Sequence, residues 1–392
     1  MTERYNIAMV AACPFPYPRG TPVRIFRMAQ VLSELGQEVH VITYHLGQKE
    51  QASPFAIHRI LDLNFYKKNS PGPSYLKLLV VDPILTLKIL TLYKKYKFDI
   101  IHAHHVEGLL ASLPIRLLGD APIIFDMHTL LATELPYYQI KLLNQSFLKK
   151  IGTFLDWCLP KYADHLISVS EEIKDELINA FDIPNEKVSV IPNGIEFEHF
   201  TLGGEKHRSN GKSIVLGYAG NFAEYQGVEI MLKALSILSK AYPYIRLNLY
   251  SNDTIDKYRP MIARLNITSQ VKIFSSDFQD LPNQLAQADI LLNPRPEGLG
   301  LPLKLLNYLA AGKPIVSFAG TARFLKHGEN GWIVANDNAK AFADGIAYIA
   351  ANEKLAAKLG RNAKVFVEQG FSWQSRGTEL IEIYKSIVKT KR

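Results

Sequence analysis

The chain has 392 residues, of which 47% are hydrophobic and 21% are charged. This length exceeds one ordinary domain and suits two domains of similar size, each with its own core. Two distant cysteines, Cys13 and Cys158, exclude a disulfide framework and favour a reducing compartment. The net charge is +8, with the whole excess in residues 201–392. We therefore expect an anionic ligand, and no nucleic acid, for which no motif is present.

The N-terminal residues lead directly into a strand-like run, and no signal peptide pattern precedes that run. No apolar stretch reaches the roughly 20 residues that a spanning helix needs. The best candidate, residues 76–93, is interrupted by two lysines, an aspartate and a proline. We therefore expect a cytoplasmic protein.

The predicted elements of the first half alternate between strand and helix. Residues 6–12 form an apolar run typical of a buried strand, and a Pro/Gly-rich loop, Pro14 to Pro22, follows. Helical spacing then extends from Val23 to Leu35 and stops at Gly36, a favourable C-terminal residue. Further strands are predicted over residues 39–44, 99–104, 123–127 and 165–170. This alternation is typical of parallel βαβ units.

A polar, glycine-containing segment over residues 199–212 indicates a linker. A second alternation follows, with strands predicted over residues 213–218, 246–250, 271–274, 290–293, 314–318 and 332–334, and a final amphipathic helix over 374–389. We predict two facing, Rossmann-like, doubly wound parallel-sheet domains with a deep interdomain cleft. The predicted bounds are 1–198 for an acceptor-binding domain, 199–211 for the linker, 212–372 for a nucleotide-sugar-binding domain, and 373–392 for a helix that crosses back toward the first domain. Ligands of such sheets bind beyond the carboxyl ends of the strands.

The strongest functional signal is the segment from Asn293 to Pro314. It begins at a strand end, passes through a Gly/Pro-rich loop and enters a helix near Leu303. Free backbone N–H groups and the helix dipole make such a helix start an anion site. Arg295 and Lys304 add two positive charges, so the segment predicts a phosphate site. The alternative is an ordinary connection that carries surface charges.

The run PLKLLNYLAAGKPIV, residues 302–316, resembles the donor-site motif of GT4-type retaining glycosyltransferases, the glycosyl transferases group 1. Other segments resemble the landmarks of this family in the same order: PRGTP at 18–22, VIPNGIE at 190–196, GYAGNFAEYQGVE at 217–229 and FSW at 371–373. The resemblance covers nearly the whole chain.

The resemblance implies the GT-B fold and the transfer of a sugar, with retention and without a metal, from a nucleotide-sugar to a hydroxyl of a glycan or lipid-linked acceptor. The donor is expected to be UDP-linked, the pathway to be the synthesis of a cell-surface polysaccharide or glycolipid, and no cofactor beyond the donor to be needed. Basic side chains and backbone amides would stabilise the leaving diphosphate.

Departures from the family pattern alter the predicted donor site. This chain has Asn221 and Gln226 where the family usually has an arginine and a lysine, and Asn307 where it has a glutamate. We expect Arg295 and Lys304 to neutralise the phosphates instead. Asn307 is expected to bond the ribose, with a polar helix residue as the alternative. The remaining predicted donor-site residues are Gly20, Gly220, Asn221, Gln226 and Glu297, the last toward a sugar hydroxyl.

Histidines follow two predicted strands. His128 matches the histidine that faces the reacting sugar in related enzymes, and imidazole can orient or polarise a hydroxyl near neutral pH. His104 and Glu134 are predicted to contact the acceptor, while His102 is expected in the sheet core. His104 and His105 lack a carboxylate cluster, so no metal site is predicted. The alternative is that these histidines only cap strands.

Two N-domain segments are amphipathic and basic: the helix after Asp82-Pro83, predicted to be capped by that pair, and residues 137–161. One interpretation is docking on an anionic membrane to reach a lipid-linked acceptor, as a peripheral protein of the inner face of the plasma membrane. The other is a helix with a solvated face and a loop packed over the acceptor pocket. The sequence favours the second interpretation for the helix and does not decide for residues 137–161.

Two other functions stay open at this point. A sugar-nucleotide epimerase could share the fold and the donor site, although no acid/base set for it can be identified. A catalytically degenerate homologue that only binds a nucleotide-sugar would explain the neutral Asn221, Gln226 and Asn307.

Overall fold

The computed structural model describes residues 3–391 except for 18–19, 49–52, 69–71, 73, 139–143, 196, 198–199, 201–212, 277–279, 298–302 and 323. The chain divides into two compact units. The first unit comprises Met1–Gly194 and Trp373–Arg392, and the second comprises Ile195–Ser372. Apart from Phe200, the predicted linker lies outside the described residues.

The first unit contains a seven-stranded sheet in the order β3-β2-β1-β4-β5-β6-β7, with every neighbouring pair parallel. Its strands are β1 Asn6–Ala11, β2 Glu38–Thr43, β3 Ala56–Arg59, β4 Ile100–His104, β5 Ile123–Met127, β6 His165–Ser168 and β7 Val188–Val190. The edge strands β3 and β7 were not predicted, because they are short and mostly half-buried and so lack the continuous apolar run of the central strands.

The helices of the first unit connect these strands. They are α1 Gly20–Glu34, α2 Asp82–Tyr96, α3 His105–Ser112, α4 Leu131–Glu134, α5 Gln145–Cys158, α6 Glu171–Asn179 and, from the C-terminus, α13 Trp373–Lys391. The prediction that Asp82 caps α2 was wrong. A π-helical turn, Lys77–Val81, runs directly into α2, and the Asp82 carboxylate instead accepts a hydrogen bond from the hydroxyl of Tyr44.

The second unit repeats the architecture with six parallel strands in the order β10-β9-β8-β11-β12-β13. The strands are β8 Val215–Ala219, β9 Arg246–Tyr250, β10 Val271–Phe274, β11 Ile290–Asn293, β12 Ile315–Phe318 and β13 Trp332–Val334. The helices are α7 Val228–Ala241, α8 Arg259–Arg264, α9 Leu281–Ala286, α10 Leu303–Ala310, α11 Ala339–Ala351 and α12 Glu353–Gly370. Both sheets therefore have the doubly wound order that places ligands where the strand order reverses, next to β1 and β4 in one unit and β8 and β11 in the other.

The C-terminal helix α13 is part of the core of the first unit. Its residues Leu380, Tyr384 and Val388 join the same buried apolar cluster as β1 and α1. Among the described helices, none combines the length and the apolar character needed to cross a membrane.

Candidate active site

A buried ion pair lies at the carboxyl ends of the central strands of the first unit. The guanidinium of Arg24, on α1, donates from Nε and Nη2 to the two carboxylate oxygens of Asp126, on β5, at 3.1 and 3.3 Å. Neither side chain is more than 1% exposed. Arg24 also donates to Asn193 Oδ1 and to the carbonyl of Ile191, so it joins α1 to β5 and to the segment after β7.

Three histidines surround Asp126. His102 and His104 are two residues apart on β4, so both side chains point to the same face of the sheet. Their rings stack with centres 4.5 Å apart. The distances from the carboxylate of Asp126 to the nearest ring nitrogens of His102, His104 and His128 are 3.4, 3.5 and 3.7 Å. The tyrosine hydroxyl of Tyr384, on α13, lies 2.6 Å from His102 Nδ1. As predicted, His102 belongs to the core.

The charges of this cluster follow from its burial. Burial alone would raise the pKa of Asp126, but the adjacent Arg24 guanidinium holds that pKa well below its usual range. Burial lowers the pKa values of His104 and His128 well below the usual histidine range, and the charge of Arg24 acts in the same direction. Asp126 is therefore ionised and His104 and His128 are neutral near pH 7.

The predicted role of His104 as an acceptor contact is corrected: His104 is a buried partner of His128. Its side chain is fully buried, and its Nδ1 lies 3.2 Å from His128 Nε2. A metal ion could in principle use His102, His104 and Asp126, whose ligand atoms all lie within 4.8 Å of one another. However, Arg24 already occupies both oxygens of Asp126, and its fixed positive charge opposes a cation there.

His128 is the member of the cluster that lies nearest the surface, with 9% of its side chain exposed. Its Nδ1 lies 3.4 Å from Thr21 Oγ1, on the first turn of α1. Gly20, the first residue of this helix, is exposed and has a φ of +38°. No described atom lies within 4 Å of the position that a Cβ would take there. Helix α1 therefore presents its N-terminus beside His128, while Pro18 and Arg19 of the predicted phosphate loop lie outside the described residues.

Glu134 lies at the end of the short helix α4, half-buried, and accepts a hydrogen bond from Tyr138. Helix α4 is held by α5, because the Asp156 carboxylate accepts from the backbone N–H groups of Leu131 and Ala132 at 3.0 and 2.8 Å. Burial raises the pKa of Asp156 to about 6. The position of Glu134 near the strand end that carries His128 is thus set by α5.

The predicted cation Lys304 lies on α10 of the second unit, half-buried. Its Nζ donates to Gln226 Oε1 at 2.6 Å and lies 4.8 Å from the centre of the Tyr218 ring. Burial, together with the charge of Arg295, lowers the pKa of Lys304 to about 7. Gln226 itself is buried, so it holds Lys304 in place; we revise its predicted role from donor contact to lysine support.

Arg295 follows β11 and lies near Lys304. Its guanidinium stacks on Tyr225, 5.1 Å from the ring centre, and its Nε donates to the carbonyl of Glu297 at 2.8 Å. The side chain of Glu297 is exposed. Both cations thus contact the end of β8 or the loop after it, Lys304 through Tyr218 and Gln226 and Arg295 through Tyr225, where the sheet order reverses.

The loop after β8 is fixed by short polar contacts and by a close backbone approach. Asn221 is exposed, and its side-chain amide donates to the hydroxyl of Tyr225 at 3.3 Å. Gly220 has a φ of +146°, and its backbone N–H donates to the carbonyl of Tyr250. A Cβ at Gly227 would lie 1.9 Å from the carbonyl oxygen of Pro294, so only glycine lets this loop lie against the loop that carries Arg295.

Asn307 lies one turn after Lys304 on α10 and is half-buried. Within the described part of the chain its amide side chain has no hydrogen-bond partner. The next residue, Tyr308, accepts a hydrogen bond from the backbone N–H of Ala219, so α10 is tied to the end of β8. Residues 298–302, at the start of the predicted motif, lie outside the described residues.

Two family models match this chain in succession: Glycosyltransferase Family 4 over residues 18–199 and Glycosyl transferases group 1 over residues 204–366. Their boundary falls close to the division of the structure into two units. The chain belongs to the GT4-type glycosyltransferases. It is accordingly a glycosyltransferase with the GT-B architecture of two Rossmann-like domains.

The chain is also similar in sequence or in fold to individual known proteins. The chain is 23% identical to a D-inositol 3-phosphate glycosyltransferase of Corynebacterium glutamicum, over 75% of this chain and 74% of that relative. Its fold is similar to that of a sucrose-phosphate synthase from Thermosynechococcus elongatus, with a TM-score of 0.83 at 18% identity, covering 99% of this chain and 100% of that one. The HepE protein of Anabaena, solved with UDP-glucose, has a TM-score of 0.70 at 16% identity and covers 97% of this chain and 100% of its own.

Sequence reasoning missed the ion pair at the centre of the first site. Arg24 lies on the apolar stripe of α1, between buried neighbours such as Met28, and Asp126 interrupts the apolar strand β5. A charged residue on an otherwise apolar stripe is the available signal, since such a charge must be paired inside. The sequence does not indicate that Tyr384 contacts this cluster, because its partner His102 is 282 residues away in the chain.

We expect Arg24→Met to lower the free energy of unfolding by about 3–5 kcal/mol at neutral pH, because it leaves the Asp126 charge buried without its partner. The penalty should shrink as the pH falls, since the pKa of the isolated Asp126 rises and protonation removes the buried charge. Urea denaturation at several pH values measures both effects.

The control is the exposed pair between Arg4 and Glu38, which are 3.1 Å apart with 69% and 45% of their side chains exposed. Arg4→Met should cost less than about 1 kcal/mol. Asp126→Leu added to Arg24→Met should recover much of the stability. Equal penalties for Arg24→Met and Arg4→Met would contradict the central place of the buried pair.

Proposed function

We propose that this glycosyltransferase transfers a sugar, with retention of the anomeric configuration and without a metal ion, from a UDP-sugar to a hydroxyl of a glycan or lipid-linked acceptor in the synthesis of a cell-surface polysaccharide or glycolipid. The observation that carries the proposal is the pair of cations, Lys304 and Arg295, at the reversal point of the second sheet. Positive charge in a partly dehydrated site stabilises the charge that develops on a leaving diphosphate. The second unit is therefore the donor-binding domain.

The state of Lys304 supports this assignment. Its hydrogen-bond acceptor is the neutral Gln226, and its pKa is lowered to about 7, so its positive charge is poorly compensated by the protein. A diphosphate would supply the missing negative charge. We propose that Asn307, one turn away on the same helix, bonds a ribose hydroxyl and that Glu297 meets a hydroxyl of the sugar.

The first unit contributes His128 and the residues around it. His128 is neutral near pH 7 and lies beside the N-terminus of α1, where Gly20 leaves room for a ligand. We propose that His128 meets the reacting sugar and that Glu134 contacts the acceptor. The reaction then proceeds as a front-face displacement through an oxocarbenium-like state, with the diphosphate as leaving group.

The proposal is tested by incubating the purified protein with a panel of nucleotide-sugars in EDTA, while the melting temperature and the release of nucleoside diphosphate are recorded. A UDP-sugar should raise the melting temperature by binding the folded state, and slow release should follow. Stabilisation without release, even with extracts that supply acceptors, would instead indicate a binding protein without activity. Conversion of the donor to its epimer would indicate the epimerase.

Lys304 makes donor affinity dependent on pH. The diphosphate binds the protonated lysine, whose pKa is about 7 in the free protein and rises in the complex. The affinity for UDP should therefore fall as the pH rises above 7, by at most about tenfold per pH unit. Calorimetric titration with UDP between pH 6.5 and pH 9 measures the slope.

Two variants test whether Lys304 causes this slope. Lys304→Arg keeps its charge at every pH of the titration and should bind UDP with a flat profile. Lys340→Ala is the control, because Lys340 is an exposed lysine on α11. This variant should keep the pH dependence of UDP affinity of the unmodified protein. A pH-independent affinity in the unmodified protein would refute the role assigned to Lys304.

We propose further that α5 docks on an anionic membrane surface. Its inner face, Leu148, Gly152 and Asp156, packs against the first unit, and Gly152 lies so close to α4 that a Cβ would be 2.5 Å from the backbone of Leu131. Three aromatic side chains lie exposed on the opposite face, Phe147 at 49%, Phe154 at 59% and Trp157 at 42%.

Basic residues accompany these aromatic side chains. Lys149 and Lys150 are exposed, and the ammonium of Lys161 lies 3.8 Å from the centre of the Trp157 ring. The acidic residue of the helix, Asp156, is turned inward. Aromatic side chains among lysines, with no carboxylate between them, match an interface of acidic headgroups. Helix α4 packs on the opposite, inner face of α5, so docking would hold Glu134 one helix layer from the lipid surface. This arrangement favours a lipid-linked acceptor.

We expect the protein to sediment with vesicles of phosphatidylcholine and phosphatidylglycerol, less at high salt, and weakly with phosphatidylcholine alone. Phe154→Ser with Trp157→Ser should lower the partition coefficient about tenfold or more, because each aromatic ring loses its apolar burial. Tyr244→Ser is the control, because Tyr244 is a similarly exposed aromatic residue of the second unit. Binding that is unaffected by the double substitution, or a change of oligomeric state instead, would contradict docking through α5.

A further inference from the structure

The contact between His104 and His128 restricts where each ring carries its proton. Both rings are neutral near pH 7, so each has one N–H group. His104 Nδ1 and His128 Nε2 lie 3.2 Å apart. One of these nitrogens must donate and the other accept, because over this distance two facing hydrogens would collide and two facing lone pairs would repel each other. The pair therefore has two arrangements.

The surroundings of His104 decide between them. Its other nitrogen, Nε2, is buried and has no hydrogen-bond partner in the described part of the chain. A proton on Nε2 would be an N–H group orphaned in the core, and buried N–H groups without an acceptor are costly and rare. A proton on Nδ1 instead faces two acceptors, His128 Nε2 and, at 3.5 Å, the ionised carboxylate of Asp126. His104 is therefore the donor, through Nδ1.

His128 consequently accepts at Nε2 and carries its own proton on Nδ1, the nitrogen that lies 3.4 Å from Thr21 Oγ1. We propose that His104 is a positioning residue that holds His128 in the Nδ1–H tautomer, so that His128 offers a hydrogen-bond donor, and not a base, to an oxygen of the reacting sugar. The tautomer is independent of the proposed transferase reaction, whereas its use on the sugar rests on that function.

Neighbouring groups keep this arrangement in place. The ring of His105, at the start of α3, stacks on His128 with centres 4.7 Å apart, which restricts rotation of the His128 ring. His105 has a φ of +61°, a left-handed conformation that directs this ring back over the strand end. The charge of Arg24 opposes the protonation of His128 and so preserves its neutral form.

The tautomer is read directly by two-bond ¹H–¹⁵N correlation spectra of the full chain with ¹⁵N-labelled histidine. The chain has 11 histidines, and the His128 signals are identified by their loss in His128→Gln. The spectrum near neutral pH should show His128 with a protonated Nδ1 and a bare Nε2. A His128 with a protonated Nε2 would overturn the proposal, whatever the donor panel shows.

Substitutions of His104 test whether it is the cause. The amide nitrogen of Asn can take the place of Nδ1, whereas the longer Gln carries its amide near the position of Nε2. His104→Asn should therefore keep the His128 tautomer, and His104→Gln and His104→Leu should give a mixture of tautomers. An unchanged His128 spectrum in the folded Gln and Leu variants would overturn the positioning role. If His104→Leu does not fold, the comparison of Asn with Gln still decides.

A buried histidine outside the site supplies the control. His165 begins β6, at the opposite end of the sheet, and its Nε2 lies 2.8 Å from Ser189 Oγ. His165→Asn should leave the His128 signals unchanged.

The consequence for catalysis is measured with the donor that the panel identifies. His104→Gln should lower kcat about tenfold or more, the usual effect of losing one oriented hydrogen bond to a developing charge, while KM changes little. His104→Asn should restore most of kcat. Loss of the tautomer without loss of kcat would refute the use of His128 as a donor and leave the tautomer assignment intact.

Discussion

The first unit depends on the ion pair between Arg24 and Asp126. Two charges with no contact to water are costly to bury, and they are tolerated only when their geometry and remaining hydrogen bonds are complete. Here Arg24 meets this demand with Asp126, Asn193 and the carbonyl of Ile191. These partners come from β5 and from the segment after β7, so one guanidinium on α1 fixes the positions of all three elements relative to one another.

The two sites use charge in opposite ways. In the first unit the charge of Arg24 is matched by Asp126, and burial keeps His104 and His128 neutral near pH 7. In the second unit Lys304 has a neutral amide as its acceptor and a second cation, Arg295, nearby. A compensated charge serves structure, whereas a poorly compensated charge favours an anionic ligand. This contrast distinguishes the unit that contains Lys304 from the unit that contains His128.

The sequence predicted the fold well, because parallel strands buried on both faces appear as continuous apolar runs. The bounds of β5, β9, β10, β11 and β13 agree with the structure to the residue. The short edge strands lacked such runs. The cap predicted at Asp82 was wrong, since the apolar turn before it continues the helix instead of starting it.

The candidate site was predictable only where a residue follows a strand end. This rule placed Arg295 and His128 at strand ends, where the structure has them, and the pattern of a loop that enters a helix start singled out Lys304. The support of these residues was not predictable: Gln226 holds Lys304 from 78 positions away, and Asp126 meets Arg24 from 102 positions away. Such pairs depend on how the chain winds through the sheet, which local composition does not encode. For the same reason the burial of His104 was missed.

The last helix gives this protein a particular order of assembly. Helix α13 lies in sequence after the whole second unit, yet its residues Leu380 and Tyr384 complete the core of the first. During translation the core of the first unit therefore stays incomplete, with the apolar surface of α1 uncovered, until the ribosome has also made the second unit and α13. The second unit, which is continuous in sequence, can close earlier. The second unit can thus fold before the first is complete, and a message that stops before the codons of α13 would yield a first unit with an open core.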